Sequence, residues 1–233
     1  MFHESPSDHY RAMAQVEPTF RARTGWQRIY PDLPGHGNTP GTDRVRDMDD
    51  YLDVMIEFVD KVTRRRRFAL GGSSFGAYLG LGVARKRASK LDGLLLSVPE
   101  INHNPLEDRR DEAFESPPME TLLDPVLGLP GYVEDTQWLQ GLPFRDVNLD
   151  LYHGLIRAPT LFLLGRQDTP FRYRAYWRLV PDFPRATFAL LDGASHALWT
   201  DRKMLVRDLV QDWLERVEAT SRSRPRADRG RTR

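Results

Sequence analysis

Leu70-Gly71-Gly72-Ser73-Ser74-Phe75-Gly76-Ala77-Tyr78-Leu79-Gly80 joins an apolar run starting at Phe68 to a helical pattern of small residues. A junction of that kind is a strand turning sharply into a helix. Gly72-Ser73-Ser74-Phe75-Gly76 fits G-x-S-x-G, the turn that presents a nucleophilic serine. Ser74 is expected in a strained backbone conformation, with glycines two residues either side because side chains there would collide. The helix that follows aims free N–H groups at the place where an oxyanion would form. On its own a Gly/Ser turn can be only a turn, so the rest of the chain has to decide.

Before that junction, residues 47–65 read as a helix with Tyr51, Leu52, Met55, Ile56, Val59 and Val62 on or near one face. It ends in Arg64 to Arg67, a run suited to a helix C-terminus, with phosphate binding the lesser reading. Residues 31–37 form a loop dense in Pro and Gly, preceded by a candidate strand at 26–30 and a helix at 8–22. After the junction a helix is expected to residue 89, holding Gly80 and Gly82, then a buried strand at 91–98. From 99 to 143 the pattern breaks into Pro, Asp, Glu and Gly with short apolar groups, too long for an ordinary loop. That stretch reads as an inserted cap. Strand, helix, strand and helix return at 159–165, 173–179, 186–191 and 203–217. The alternation predicts an α/β fold, a mostly parallel sheet with helices on both faces.

The chain has 233 residues, 40% hydrophobic and 29% charged, which suits one soluble α/β domain. No apolar run reaches the roughly 18–20 residues of a membrane span, and the front lacks a secretory pattern. With zero cysteines there is no disulfide, thiolate metal site or cysteine nucleophile, and a cytoplasmic location is expected. The final stretch from Ser221 carries six arginines and one aspartate, about +5, leaving the remainder near −4. A body of that sign is not built for nucleic acid. Residues 219–233 are expected to be a disordered basic tail.

Two further stretches stand where partners of Ser74 are needed. Leu164-Gly165-Arg166-Gln167-Asp168 puts a carboxylate just past one strand, and Leu191-Asp192-Gly193-Ala194-Ser195-His196 an imidazole past the next. Groups at the carboxyl ends of parallel strands share one edge of the sheet. A serine hydroxyl is a poor nucleophile until histidine takes its proton, and a carboxylate fixes the histidine tautomer. Asp168 could instead cap a helix, His196 could be a loop histidine, and Asp192 and Glu100 are rival carboxylates. Asp192 lies too close to His196 along the chain, so Glu100 is the better second choice.

At these residues the chain resembles the α/β-hydrolase superfamily, and specifically its small cap-bearing serine esterase-like members. Asp32-Leu33-Pro34-Gly35-His36-Gly37 is similar to the family's D-x-P-G-x-G loop. With the G-x-S-x-G turn, the stretch ending in Asp168 and the stretch ending in His196, four landmarks occur in family order. The resemblance spans about residues 3 to 218 and implies an α/β-hydrolase core at 1–98 and 144–218 around a small helical cap insertion at 99–143. It gives His36 a structural place in its loop. It also sets Ser74 apart from relatives with an aspartate nucleophile.

The front departs from the family. Members usually carry an edge hairpin and a strand ending in His-Gly, whose loop supplies an oxyanion N–H. Here His3 falls at the histidine and Glu4 at the glycine. The core is therefore read as N-terminally shortened, through either a start upstream of Met1 or loss of a strand. That strand would lie between the one ending near Tyr30 and the one ending near Ser73, so the flanking strands must close up or leave backbone groups unpaired.

The resemblance implies hydrolysis of a small carboxylic ester or related acyl compound by Ser74, His196 and Asp168. Phe75 is the first oxyanion donor it points to, with the second from Ser5 or Glu4. Phe114, Leu122, Trp138 and Leu142 of the cap are candidates to shape the substrate pocket. No metal or organic cofactor is implied, and the expected partner is a small-molecule substrate, with neither nucleic acid nor membrane. The alternatives are C–C bond or amide hydrolysis by the same triad, or a non-catalytic binding protein that lacks the oxyanion strand.

Overall fold

The computed structural model describes residues 1–101, 155–168 and 173–224. Beyond residue 101 the predicted cap lies outside them, as do Phe114, Leu122, Trp138 and Leu142. Four strands, β1 (Phe68–Ser73), β2 (Leu91–Ser97), β3 (Thr160–Gly165) and β4 (Ala186–Leu191), form a parallel sheet in the order β1-β2-β3-β4. The helices are α1 (His9–Phe20), α2 (Met48–Val62), α3 (Phe75–Lys86), α4 (Leu198–Asp201) and α5 (Lys203–Arg222).

Alternate residues of each strand enter opposite cores. Leu94, Leu96, Phe162 and Leu164 join the α2 and α3 side, with Tyr51, Leu52, Met55, Ile56 and Val59. Leu95, Leu161 and Leu163 join the other side, with Val206, Val210, Trp213 and Leu214 of α5. That explains why these strands are apolar without alternation: both faces are covered. Each leucine so buried contributes about 1.5–3 kcal/mol. Asp47 and Asp8 cap α2 and α1, their side chains accepting N–H bonds from the first turn.

The front of the sheet differs from expectation. Residues 26–30 form no strand. Trp26 instead donates to Glu218 Oε1 at 3.0 Å, and Tyr30 to Glu17 Oε1 at 2.7 Å. Nor does the segment close up against β1. Met1 and Phe2 lie between them: the Met1 amine donates to Ile29 O at 2.6 Å, and Phe2 N–H to Gly71 O at 2.8 Å. Phe2 forms a single parallel bridge to Gly72. Behind it a cavity of about 860 Å³ separates residues 26–30 from β1, lined by Val16, Phe20, Leu95 and Trp213 among others. A strand needs a continuous partner, and here the partner is two residues long.

Two smaller differences concern helices. Residues 173–182 form a 3₁₀ helix that contains Pro181. The last helix continues to Arg222, so residues 219–222 are helical rather than tail. Its end is held by Arg23 on Glu218 at 2.9 Å and by Arg224 on Asp92. Residues 225–233 lie outside the described residues. Arg67 is likewise absorbed structurally, donating to Asp92 Oδ1, Ser89 O and Leu91 O.

His3 is fully buried. Its Nε2 accepts the Leu33 N–H at 2.9 Å, and its Nδ1–H donates to Glu4 O at 2.7 Å. Protonating Nε2 would break the first bond, and burial lowers the pKa to about 4. The unfolded chain therefore takes up a proton that the folded chain refuses as pH falls from about 6.5 towards 4. Stability is full above that window and declines within it, by up to about 3 kcal/mol. Urea melts across pH 6.5 to 4 should show this slope in the wild type and a flatter one in His3→Gln.

Candidate active site

The turn at Ser74 is built by close contact. Ser74 caps α3 at φ 51° and ψ −120°, a conformation that costs a non-glycine residue of order 1–3 kcal/mol. A Cβ on Gly72 would lie 2.3 Å from Gly76 O, and one on Gly76 would lie 2.3 Å from His3 O. Both neighbours are backbone and cannot swing away. Gly76→Ala should therefore cost about 3 kcal/mol or more, seen as a lowered denaturation midpoint or loss of soluble protein. The Gly76 contact also shows where the front of the chain runs. Phe2 and His3 lie directly against the start of α3.

Ser74, Asp168 and His196 are brought together from three strand ends. Ser74 Oγ is 2.8 Å from His196 Nε2, and His196 Nδ1 is 3.0 Å from Asp168 Oδ2. Ser74 and Asp168 are buried at 1% and 4% exposure, while the His196 side chain keeps 16%. The carboxylate accepts the Nδ1–H, which leaves the Nε2 lone pair facing the hydroxyl. Burial alone would lower the His196 pKa. The hydrogen bond and charge of Asp168, with Glu4 adding negative charge, outweigh it and raise the pKa above its ordinary value. The site thus favours the protonated imidazole of His196.

The His196 loop is anchored by groups whose role the sequence did not announce. Asp201 Oδ2 accepts both the Ser195 N–H at 2.8 Å and the Ser195 hydroxyl at 2.7 Å. Gln167 Oε1 accepts the Ala194 N–H at 3.0 Å, tying the Asp168 loop to the His196 loop. Asp192, the nearer rival carboxylate, points away: its side chain is 80% exposed and faces Arg166 and Gln167. Glu100 meets Ser74 rather than His196, with its Oε1 3.0 Å from Ser74 Oγ.

The front residues have definite places. Phe75 is the first residue of α3, and its N–H belongs to the turn that lacks intrahelical acceptors. The Ser5 hydroxyl donates to His36 Nε2 at 2.9 Å, because His36 Nδ1–H is committed to Pro34 O at 3.1 Å. His36 is therefore a packing residue of its loop. Glu4 accepts from Arg11, Gln15 and Ser73 at 2.8 to 3.0 Å. Burial works against the Glu4 anion, but Arg11 and these hydrogen bonds prevail and hold its carboxyl below its ordinary pKa. Glu4 thus places a carboxylate directly on the hydroxyl of Ser73, the residue before Ser74.

The sequence profile of the alpha/beta hydrolase family matches residues 2–220. Protein ABHD14A of Danio rerio is 22% identical over 197 residues, covering 84% of this chain and 56% of that protein. The chain thus spans little more than half the length of this curated relative. Among solved structures, an alpha/beta superfamily hydrolase from Oenococcus oeni PSU-1 superposes with TM-score 0.73 at 21% identity, covering 93% of this chain and 91% of that one. A thermophilic esterase from Thermogutta terrifontis superposes with TM-score 0.65 at 21% identity, covering 93% and 88%. At such identity the structural likeness speaks for the fold. Among the described residues no helix is long and apolar enough to cross a membrane.

Proposed function

The chain belongs to the alpha/beta hydrolase family, and from that premise we propose that it is a cytoplasmic serine hydrolase of small carboxylic esters or related acyl compounds. The observation that carries the proposal is the continuous hydrogen-bond path from Ser74 Oγ through His196 to Asp168 Oδ2. Ser74 Oγ attacks the acyl carbon while His196 Nε2 takes its proton. The imidazolium then gives that proton to the leaving alcohol, and an acyl-enzyme remains on Ser74. Water, deprotonated by His196, attacks the acyl carbon, and the proton returns to Ser74 as the acid departs. Asp168 keeps its negative charge throughout and holds the imidazole in the required tautomer.

The oxyanion of each tetrahedral intermediate is assigned to the N–H groups of Phe75 and Ser5. The Phe75 assignment rests on its place at the start of α3. That of Ser5 rests on the close passage of Phe2 and His3 beside Gly76.

Fluorophosphonate labelling of the folded chain, with the modified residue located by mass spectrometry, tests the proposal. Labelling at Ser74, lost in Ser74→Ala and weakened in His196→Ala, is the expected outcome. A chain that is folded by circular dichroism yet unlabelled would instead be a binding protein on the same scaffold. Hydrolysis of simple short-chain esters separates ester cleavage from C–C or amide cleavage by the same triad.

A further inference from the structure

Just after β2 the backbone is forced. Val98, a β-branched residue, sits at φ 39°, where such side chains are genuine outliers. Its N–H is held by Leu163 O at 2.9 Å, so the strain is locked in place by β3. Two residues on, Ile101 N–H bonds back to Pro99 O at 2.9 Å, closing a tight turn centred on Glu100. The buried Tyr176 hydroxyl donates to the same Pro99 oxygen at 2.6 Å and pins the turn from another element. The result of this construction is the 3.0 Å contact between Glu100 Oε1 and Ser74 Oγ. Strain held by neighbouring elements and aimed at a reacting atom is a mark of a functional position.

Ser74 has one hydroxyl proton and two oxygen- or nitrogen-bearing neighbours that could accept it, Glu100 Oε1 and His196 Nε2. If Glu100 is a carboxylate, the two compete for that proton, and a negative charge stands close to where the oxyanion of the tetrahedral intermediate would develop. If Glu100 is a neutral acid, its own O–H donates to a lone pair of Ser74 Oγ. The serine proton is then left for His196. With His196 neutral, as a base must be, only the second arrangement satisfies every group and points the proton along the path that catalysis uses.

We propose that Glu100 is a further catalytic residue, a neutral acid whose O–H hydrogen-bonds Ser74 Oγ and directs the serine proton to His196. The inference rests on the serine hydrolase reading. Glu100 keeps its proton through the cycle, and only the hydrogen bond moves as Oγ becomes an ester oxygen. Burial, with Asp168 adding to it against Ser74 and His196, pushes the Glu100 carboxyl above its ordinary pKa. Among the described residues, the charged and titratable groups facing it are Asp168, His196 and Tyr176.

The active form therefore holds one proton on Glu100 and none on His196 Nε2. Raising the pH deprotonates Glu100 and lowers activity; lowering it protonates His196 and lowers activity. The profile is bell-shaped, its two limits belonging to the coupled pair. Glu100→Gln keeps an N–H donor for Ser74 and cannot ionise, so the alkaline limb should vanish and the acid limb remain.

The rate of fluorophosphonate labelling at Ser74, followed from pH 5 to 9, needs no knowledge of the natural substrate. In the wild type the rate should fall on the alkaline side, approaching tenfold per pH unit. In Glu100→Gln the rate should reach a plateau on the alkaline side and show no fall there, whatever the height of that plateau. A wild-type profile without an alkaline fall overturns the proposal even if the variant does not fold. So does a Glu100→Gln profile that keeps the fall. No labelling of Ser74 at any pH would overturn the serine hydrolase reading itself, and this inference with it.

Discussion

Ester turnover by the Ser74→Ala chain is expected to fall by about a million-fold, the scale on which losing a triad nucleophile acts. The substitution removes one oxygen and leaves the turn intact. Alanine meets the same φ of 51° that serine does, so the backbone strain is unchanged. What disappears is the nucleophile, together with the partner that faces both His196 Nε2 and Glu100 Oε1. The residual rate would be that of the oxyanion amides and the pocket acting on water. Steady-state hydrolysis of a chromogenic short-chain ester, beside thermal melts of both proteins, is the measurement. An alanine chain that melts normally and still turns over the ester would remove Ser74 from the mechanism.

The second large effect belongs to Asp168. Asp168→Asn should lower kcat by about ten-thousand-fold, because the amide can hold the imidazole in the wrong tautomer and no longer steadies the imidazolium. It should also move the acid limb of the pH profile. In the wild type the hydrogen bond and charge of Asp168 oppose burial and hold the His196 pKa up. Without them burial prevails, the imidazole deprotonates more readily, and half-maximal activity falls at lower pH. A reduced rate with an unmoved acid limb would mean that Asp168 orients His196 without setting its charge.

The two variants also separate the roles of neighbouring carboxylates. Asp168 touches the far nitrogen of His196, Glu100 touches Ser74, and Glu4 is spent on Arg11, Gln15 and Ser73. Asp168 and Glu4 add negative potential to one small volume, whereas a protonated Glu100 adds none. Only Asp168 is bonded to the imidazole. Asp168→Asn is therefore expected to act on the acid side of the profile and Glu100→Gln on the alkaline side.

Several features of the site were legible in the linear order of residues because their causes are local. A G-x-S-x-G turn needs glycine at two fixed offsets, and the contact at Gly72 arises within a few residues, while that at Gly76 is with Phe2 and His3 at the front of the chain. Asp168 and His196 could be placed because each follows an apolar run, and parallel strands bring their carboxyl ends to one edge. The same locality explains the failure at residues 26–30. Their composition suits a strand, but strand formation needs a hydrogen-bonded neighbour, and among the described residues Met1 and Phe2 alone stand beside them on the β1 side. The end of α5 failed for the opposite reason. Its arginines read as a solvated tail, yet partners far along the chain, such as Asp92 for Arg224, hold it.

By itself, then, the sequence determined the alternation of strands and helices, the parallel sheet buried on both faces, and the placing of Ser74, Asp168 and His196 at one edge of that sheet. Each is set by periodicity or by steric demands within one turn. The tertiary structure alone decided which carboxylate meets which partner: Asp168 on the imidazole, Glu100 on the serine oxygen, Asp192 out in solvent. Those choices depend on side-chain directions fixed by contacts across 26 to 122 positions of chain, where no local rule operates.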